Sequence, residues 1–408
     1  MATRTLFRDP PRQAVERAPA LARTRARQDL LLSGLFVALL CLPAVAGALH
    51  LDASKEGGEN RRLTPFPSVE PEWSSILSLG SRFQTFFQGN FGLRTLLIRG
   101  HALLDAVVLH VSPSPTVLWG RESWLFYADD GAAEDIVAET PLSDQELEAW
   151  RKTLVDDRDW LRERGIEYVF TLAPDKHAIY PEYLPPAVRR LGRETMMDQL
   201  AAYLRARTDL VIVDLKTPLL QSKANERVYD RTDTHWNRRG AYLGYRAILE
   251  AVAARVPGVE PPWPLADFNP TRAITPGKDL AVMLGLSDVL LEEELSFAPV
   301  QPRRARVIEP ANPSPNGDEG YLVTEIAGSE RPRAVVFRDS FTSRLIPYLS
   351  EHFSRAVYLW QNDVDPAAVL KERPAVVIHE IVGRHLTKLV PYEYDAVRQV
   401  RRAPEQDR

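Results

Sequence analysis

The chain has 408 residues, 45% of them apolar and 26% charged, a composition that can bury a core and excludes a disordered polymer. A formal net charge of −4 supplies no field for nucleic acid, and no nucleic-acid partner is expected. One cysteine, Cys41, excludes an intrachain disulfide framework and a cysteine-based zinc cluster, and with 8 histidines a metal site would have to lean on carboxylates.

Residues 1–28 are basic and contain proline, and are expected to form a disordered cytoplasmic tail. Leu30 to Leu49 then runs 20 residues without a charge, about what a helix needs to cross a bilayer. Arg23, Arg25 and Arg27 precede it, and a basic flank stays cytoplasmic, so the body is expected on the outer side of the inner membrane. Ala44-Val45-Ala46 also resembles a signal-peptide cleavage site, but the leader before it is long for one. An uncleaved anchor over 29–50 is therefore the expectation, with Cys41 as an apolar filler. A polar linker, 51–80, leads to the main domain, 81–390, and a tail, 391–408.

Ser81–Leu104 combines clustered aromatics with helical apolar spacing and reads as a packed helix. Gly120–Gly131 reads as a strand bounded by turns. From Ser143 the spacing predicts a helix: Ser143 and Glu146 form a capping box, Leu147, Trp150, Leu154 and Leu161 mark one buried face, and Gly165 closes it. Apolar runs follow at Glu167–Pro174 and Leu210–Leu215, with a helix near Glu194–Arg207 between them. After "DTHWN", Asp233 to Asn237, another helix carries Ala241, Tyr245, Ile248 and Val252 on one stripe. Later runs are Arg333–Phe337, Arg355–Trp360 and Ala375–Val382. Continuous apolar runs separated by helices predict an α/β fold, a parallel sheet with helices on both faces. Residues 256–330, rich in proline and ending in the loop "NPSPNGDEG", read as a partly β insertion bordering a cleft.

Ligands of such a sheet sit outside the carboxyl ends of its strands. Two motifs fall there. One is DTHWN. The other is "AVVFRDSF", where an apolar strand ends and Asp339-Ser340 turns into the predicted helix "TSRLIPYLSEHF". A serine is a poor nucleophile until a base held by an acid takes its proton, and His235 with Asp233 offers that pair. Taken singly, Ser340 reads as a helix N-cap and DTHWN as a capping loop; the specificity lies in the combination. A metal reading of Asp233 and His235 finds no further ligand within sequence reach. His177 stands alone beside prolines, and His379, Glu380 and His385 are spaced unlike a zinc helix, so neither metal nor cofactor is expected.

At these motifs the chain resembles the alginate O-acetyltransferase family of the AlgJ/AlgX type, whose catalytic domain is SGNH-hydrolase-like. The resemblance runs over roughly 81–385, through "FFQGNFGLRTLLI", "GRESWLFY", "APDKHAIYPEYLP", "DTHWNRRGAY", "FRDSF" and "PAVVIHEIVGR". It implies an acetyl-carrying Ser340, a base His235 and an orienting Asp233. It also implies an exported polysaccharide as acceptor and a multi-spanning membrane acyltransferase as source of the acetyl group. The family's turn often has glycine before Asp-Ser; here it is Arg338. Arg338, Trp236, Lys176 and Tyr180 are the expected substrate contacts. The lack of a further C-terminal module after the last predicted strand resembles the membrane-anchored AlgJ-type member. Two alternatives stay open. The same residues could serve an acetylesterase. A non-catalytic polysaccharide-binding scaffold would instead rely on exposed Trp236, Trp263 and Trp360.

Overall fold

The computed structural model describes residues 12–48, 65–68, 72–89, 93–109, 111–137, 141–189, 194–309 and 320–389. The first eleven residues, much of the linker, the NPSPNGDEG loop apart from Gly320 and the 391–408 tail lie outside the described residues. The chain divides into two compact units, 1–101 and 102–408.

In the first unit a helix runs Arg12–Ala48, so much of the basic segment expected to be disordered is helical. Its part Arg27–Gly47 is long and apolar enough to cross a membrane. Further on, Leu79–Gly89 is helical, and the Phe66, Phe83, Phe86 and Phe87 rings touch one another. Phe83 and Phe87 nevertheless remain largely exposed, so this is a surface aromatic cluster rather than the packed core expected from the sequence.

Among its described residues the second unit holds eleven strands: β1 Val117–Trp119, β2 Leu125–Tyr127, β3 Glu167–Ala173, β4 Ile212–Val213, β5 Phe268–Thr275, β6 Glu292–Pro299, β7 Arg306–Glu309, β8 Tyr321–Glu325, β9 Arg333–Arg338, β10 Arg355–Trp360 and β11 Val376–Val382. Seven form the main sheet in the order β4-β3-β11-β9-β10-β8-β7. The first five are parallel, as the apolar runs predict. Alternate residues explain why they read as runs. Val169, Val336 and Ile378 join the core on one face, while Phe170, Val335, Phe337 and Val377 join the core on the other. Both faces are dry, so period-two polarity is absent. The helix Arg238–Ala253 covers the first face, and Asp144–Arg162 with Met196–Arg207 covers the second.

Three differences from the expected architecture stand out. Strands β7 and β8 lie inside the 256–330 segment but join the main sheet antiparallel, so the sheet is mixed at that edge. What remains of the insertion is the β5–β6 hairpin and the short helix Asp279–Met283. The Gly120–Gly131 strand shrinks to β2, which pairs with β1, because Glu122 and Ser123 turn with positive φ just before it. The segment after Ser340 is not one helix. Pro347 lacks an N–H and its ring crowds the preceding turn. The chain therefore forms a 3₁₀ turn over Ser340–Arg344, a new helix Ile346–Leu349 with proline in its first turn, and a second 3₁₀ turn over Ser350–His352.

Candidate active site

The site is built where β9 ends. Arg338 is the last residue of β9, Asp339 caps the following turn, and Ser340 opens it, half-buried. Asp339 is committed on both oxygens: Oδ1 accepts the Phe341 N–H at 2.9 Å, and Oδ2 accepts the Val382 N–H at 2.6 Å from the end of β11. Glu380 lies beneath. Its Oε2 accepts the Asp339 N–H at 3.2 Å and the Thr342 hydroxyl at 2.9 Å. Burial and then the neighbouring Asp339 charge push the Glu380 carboxyl well above the usual range, so it stays neutral. The turn that presents Ser340 is thus tied to two strands.

The second half comes from DTHWN. Asn237 caps the Arg238–Ala253 helix, its Oδ1 accepting from the Arg239 and Gly240 amides at 2.9 and 3.0 Å. Gly240 allows the tight approach: a Cβ there would lie 2.3 Å from the Val228 carbonyl oxygen and 2.7 Å from Trp236 Cβ. Trp236 is fully buried and donates its indole N–H to the Phe341 carbonyl at 3.2 Å, stitching the loop to the serine turn.

These two supports bring the pair and the serine together. His235 Nδ1 lies 2.8 Å from Asp233 Oδ1, and Nε2 lies 2.8 Å from Ser340 Oγ. Arg344, four residues after the serine, donates to Asp233 Oδ2, to the Trp236 carbonyl and, at 3.0 Å, to Asp230 Oδ2. Burial alone would raise the Asp233 carboxyl, but the Arg344 guanidinium and the His235 bonds outweigh it and hold it well below the usual carboxylate range. Asp233 is therefore ionised and can only accept. That makes Nδ1 the donor and leaves the Nε2 lone pair for the Ser340 hydroxyl proton. Asp230, buried beside the same cation, is pushed up to about 6 by burial, with Arg344 opposing it.

The other expected contacts lie elsewhere. Trp236 is core and presents no surface to a ligand. Tyr180 is buried against Trp124, ring centroids 4.4 Å apart, and its hydroxyl accepts the Val228 N–H at 2.9 Å. Lys176 is buried, donates to the Leu125 and Arg231 carbonyls at 2.7 and 3.1 Å, and is pulled down to about 8 by burial. Arg338 is fully buried, donates to Ser343 Oγ at 2.9 Å and packs 4.4 Å from the Trp360 ring centroid. All four are buried and spend their polar groups or rings on protein partners. Burial of these amphipathic residues could not be read from composition alone.

Three residues outside the two motifs, Arg344, Asp230 and Asp279, also join the site. Asp279 comes from the insertion and accepts the Thr234 N–H at 2.8 Å; its other oxygen lies 3.7 Å from His235 Nδ1. It adds a second carboxylate to Asp233 and His235, and one donor atom from each of the three lies within 4.8 Å of the others. The inner donors, however, are spent on protein partners: Nδ1 on Asp233 Oδ1, and Asp233 Oδ2 on Arg344. The cluster fits proton handling better than cation binding. Arg344 carries no sequence signal beyond its i+4 spacing from Ser340.

A family model described as the SGNH hydrolase-like domain of acetyltransferase AlgX matches residues 117–360, more than half of the chain. The probable alginate O-acetylase AlgJ of Pseudomonas putida is 27% identical over 175 residues, 43% of each chain. The protein of the same name from Pseudomonas aeruginosa is 24% identical over 278 residues, 65% of each. The chain thus spans less than two thirds of the length of these curated relatives. Among solved structures, Bacillus cereus PatB1 superposes with a TM-score of 0.50 at 18% identity, covering 66% of this chain and 96% of that one, a likeness of fold.

Proposed function

This chain belongs to the SGNH hydrolase-like acetyltransferase AlgX family, and from that premise we propose that it is an O-acetyltransferase acting on an exported polysaccharide. The observation that carries the reading is the continuous path Asp233–His235–Ser340, with 2.8 Å at each step and the acid pinned by Arg344. Its three groups have the connectivity a serine acyl carrier needs.

In the proposed cycle His235 Nε2 takes the Ser340 proton as Oγ attacks the carbonyl carbon of an acetyl donor ester. The tetrahedral adduct collapses, the imidazolium proton passes to the departing alcohol, and Ser340 carries the acetyl group. A sugar hydroxyl then gives its proton to Nε2, attacks the acetyl-serine carbonyl, and Ser340 Oγ leaves with the proton restored. Asp233 holds the ring in the required tautomer in both halves. Arg338, Trp236, Lys176 and Tyr180 support these groups from behind, a role their burial favours over substrate contact.

The proposed catalytic domain, 81–390, is preceded by a linker, 51–80, and an anchor, 29–50. The apolar helix and its arginine flank support a single pass through the inner membrane with the domain on the periplasmic side. Such a placement calls for a membrane partner, a multi-spanning acyltransferase, to deliver acetyl groups from the inside. A deacetylating enzyme would use the same three residues, with water in place of the sugar. Acetyl release from a chromogenic acetyl ester by the full chain in detergent, with and without a polysaccharide oligomer, separates them. Transfer predicts acetyl groups on the oligomer; their absence despite turnover assigns hydrolysis.

A further inference from the structure

We propose that Asp279 is a positioning residue for His235: a second carboxylate that fixes the Asp-x-His loop and favours the protonated ring during turnover. The inference rests on the acyl-transfer reading of Ser340 and His235.

Asp279 opens the short helix Asp279–Met283, the part of the insertion nearest the site. Its Oδ1 accepts the Thr234 N–H at 2.8 Å, and its Oδ2 lies 3.7 Å from His235 Nδ1. This is the nitrogen that also faces Asp233, so the ring stands against two carboxylates. The placement is fixed on both sides. Lys278 donates its N–H to Thr232 Oγ1 at 3.0 Å, and the Leu280 N–H reaches the Thr232 carbonyl at 3.1 Å. Thr232 in turn donates its N–H and hydroxyl to buried Glu292, both at 2.8 Å.

The charges around the ring give the two acids different work. Asp233 is answered by Arg344, which Asp230 shares. Lys176 and Glu292 lie further out in the same field. Among the described residues, Asp279 has no ion-pair partner within 4.0 Å except the His235 ring. Each half-reaction turns that ring into an imidazolium. The Asp279 charge 3.7 Å away stabilises it, while Arg344 and Lys176 in the same field and the 40% exposure of the Asp279 side chain moderate the effect.

The test compares the full chain in detergent with Asp279→Asn and Asp279→Ala. Asn keeps an acceptor for the Thr234 N–H and removes only the charge. With a chromogenic acetyl ester, Asp279→Asn is expected to lower kcat about 3- to 10-fold with KM little changed. The acid limb of its rate profile should move to lower pH by about half a unit, because the ring then protonates less readily. A purely structural role gives wild-type rates and an unmoved limb in Asp279→Asn, with loss only in Asp279→Ala, and overturns the proposal. A ring-proton NMR titration keeps this failure apart from failure of the acyl-transfer reading. With the His235 signal assigned by its absence in His235→Gln, the titration midpoint should drop in Asp279→Asn whether or not any ester is turned over. An unmoved midpoint overturns the proposal even in an active enzyme.

Discussion

Two histidine–aspartate pairs in this molecule have nearly the same local geometry and very different surroundings. His177 Nε2 lies 2.7 Å from Asp135 Oδ2, and His235 Nδ1 lies 2.8 Å from Asp233 Oδ1. His177 is closed in, its side chain 6% exposed; its acid spends the other oxygen on the Met196 N–H, and the pair ties Asp135 to the start of the Met196–Arg207 helix. His235 keeps its second nitrogen for a serine hydroxyl, is 20% exposed, and its acid is held by an arginine. An acid next to an imidazole is thus not a site by itself. Access, a third group on the far nitrogen and a cation behind the acid make it one.

That contrast can be broken in graded steps. The largest effect is expected from Ser340→Ala, which removes the acyl carrier and should lower ester turnover by about 10⁴-fold or more. Asp233→Asn should approach it, about 10⁴-fold in kcat, because the amide can present its N–H to Nδ1 and trap the wrong tautomer. Arg344→Met should cost both activity and about 3–5 kcal/mol of stability, read by denaturant unfolding, since it leaves Asp233 and Asp230 buried without their cation. His177→Ala should do the opposite of the serine change. It is expected to lose about 2 kcal/mol of stability while ester turnover per folded molecule stays at the wild-type level. If His177→Ala abolished turnover in a folded protein, the contrast between the pairs would fail.

The smallest effect is a pH dependence. Glu380 has a raised folded-state pKa, so its contribution is fully present below the unfolded value of about 4.3 and is lost as pH rises through the folded value. Glu380→Gln should therefore match the wild type within about 1 kcal/mol only near pH 4, where the wild-type carboxyl is protonated folded and unfolded, and should become the more stable of the two as pH rises toward neutrality. In alkaline buffer its thermal midpoint should fall less than that of the wild type. A parallel fall in both would remove Glu380 as the source.

Much of this was legible in the chain. The capping box at Ser143 and Glu146 is present as written, and the buried face through Leu147, Trp150, Leu154 and Leu161 is the one observed. Asp339-Ser340 lies at the end of β9 as its apolar run predicts, whereas DTHWN follows the helix Lys216–Lys223 rather than a strand; the two motifs nevertheless come to hydrogen-bond distance. What stayed hidden depends on contacts between distant segments. Arg344 and Asp279 act on Asp233 and His235 from 111 and 44 positions away, and no local pattern marks either. Trp236, Tyr180, Lys176 and Arg338 carried the residue types of a binding surface, but each found its partner in the core. The last two strands of the sheet, β8 and the edge strand β7, were obscured because an antiparallel pair beside a proline-rich loop has no crossover helix to announce it.

The most direct measurement is intact-mass analysis of the full chain after brief exposure to an activated acetyl ester, with peptide mapping of any adduct. The account predicts one added acetyl group on Ser340, absent from Ser340→Ala and discharged on addition of a sugar acceptor. Acetyl found on another residue, or turnover that survives in Ser340→Ala, would contradict it.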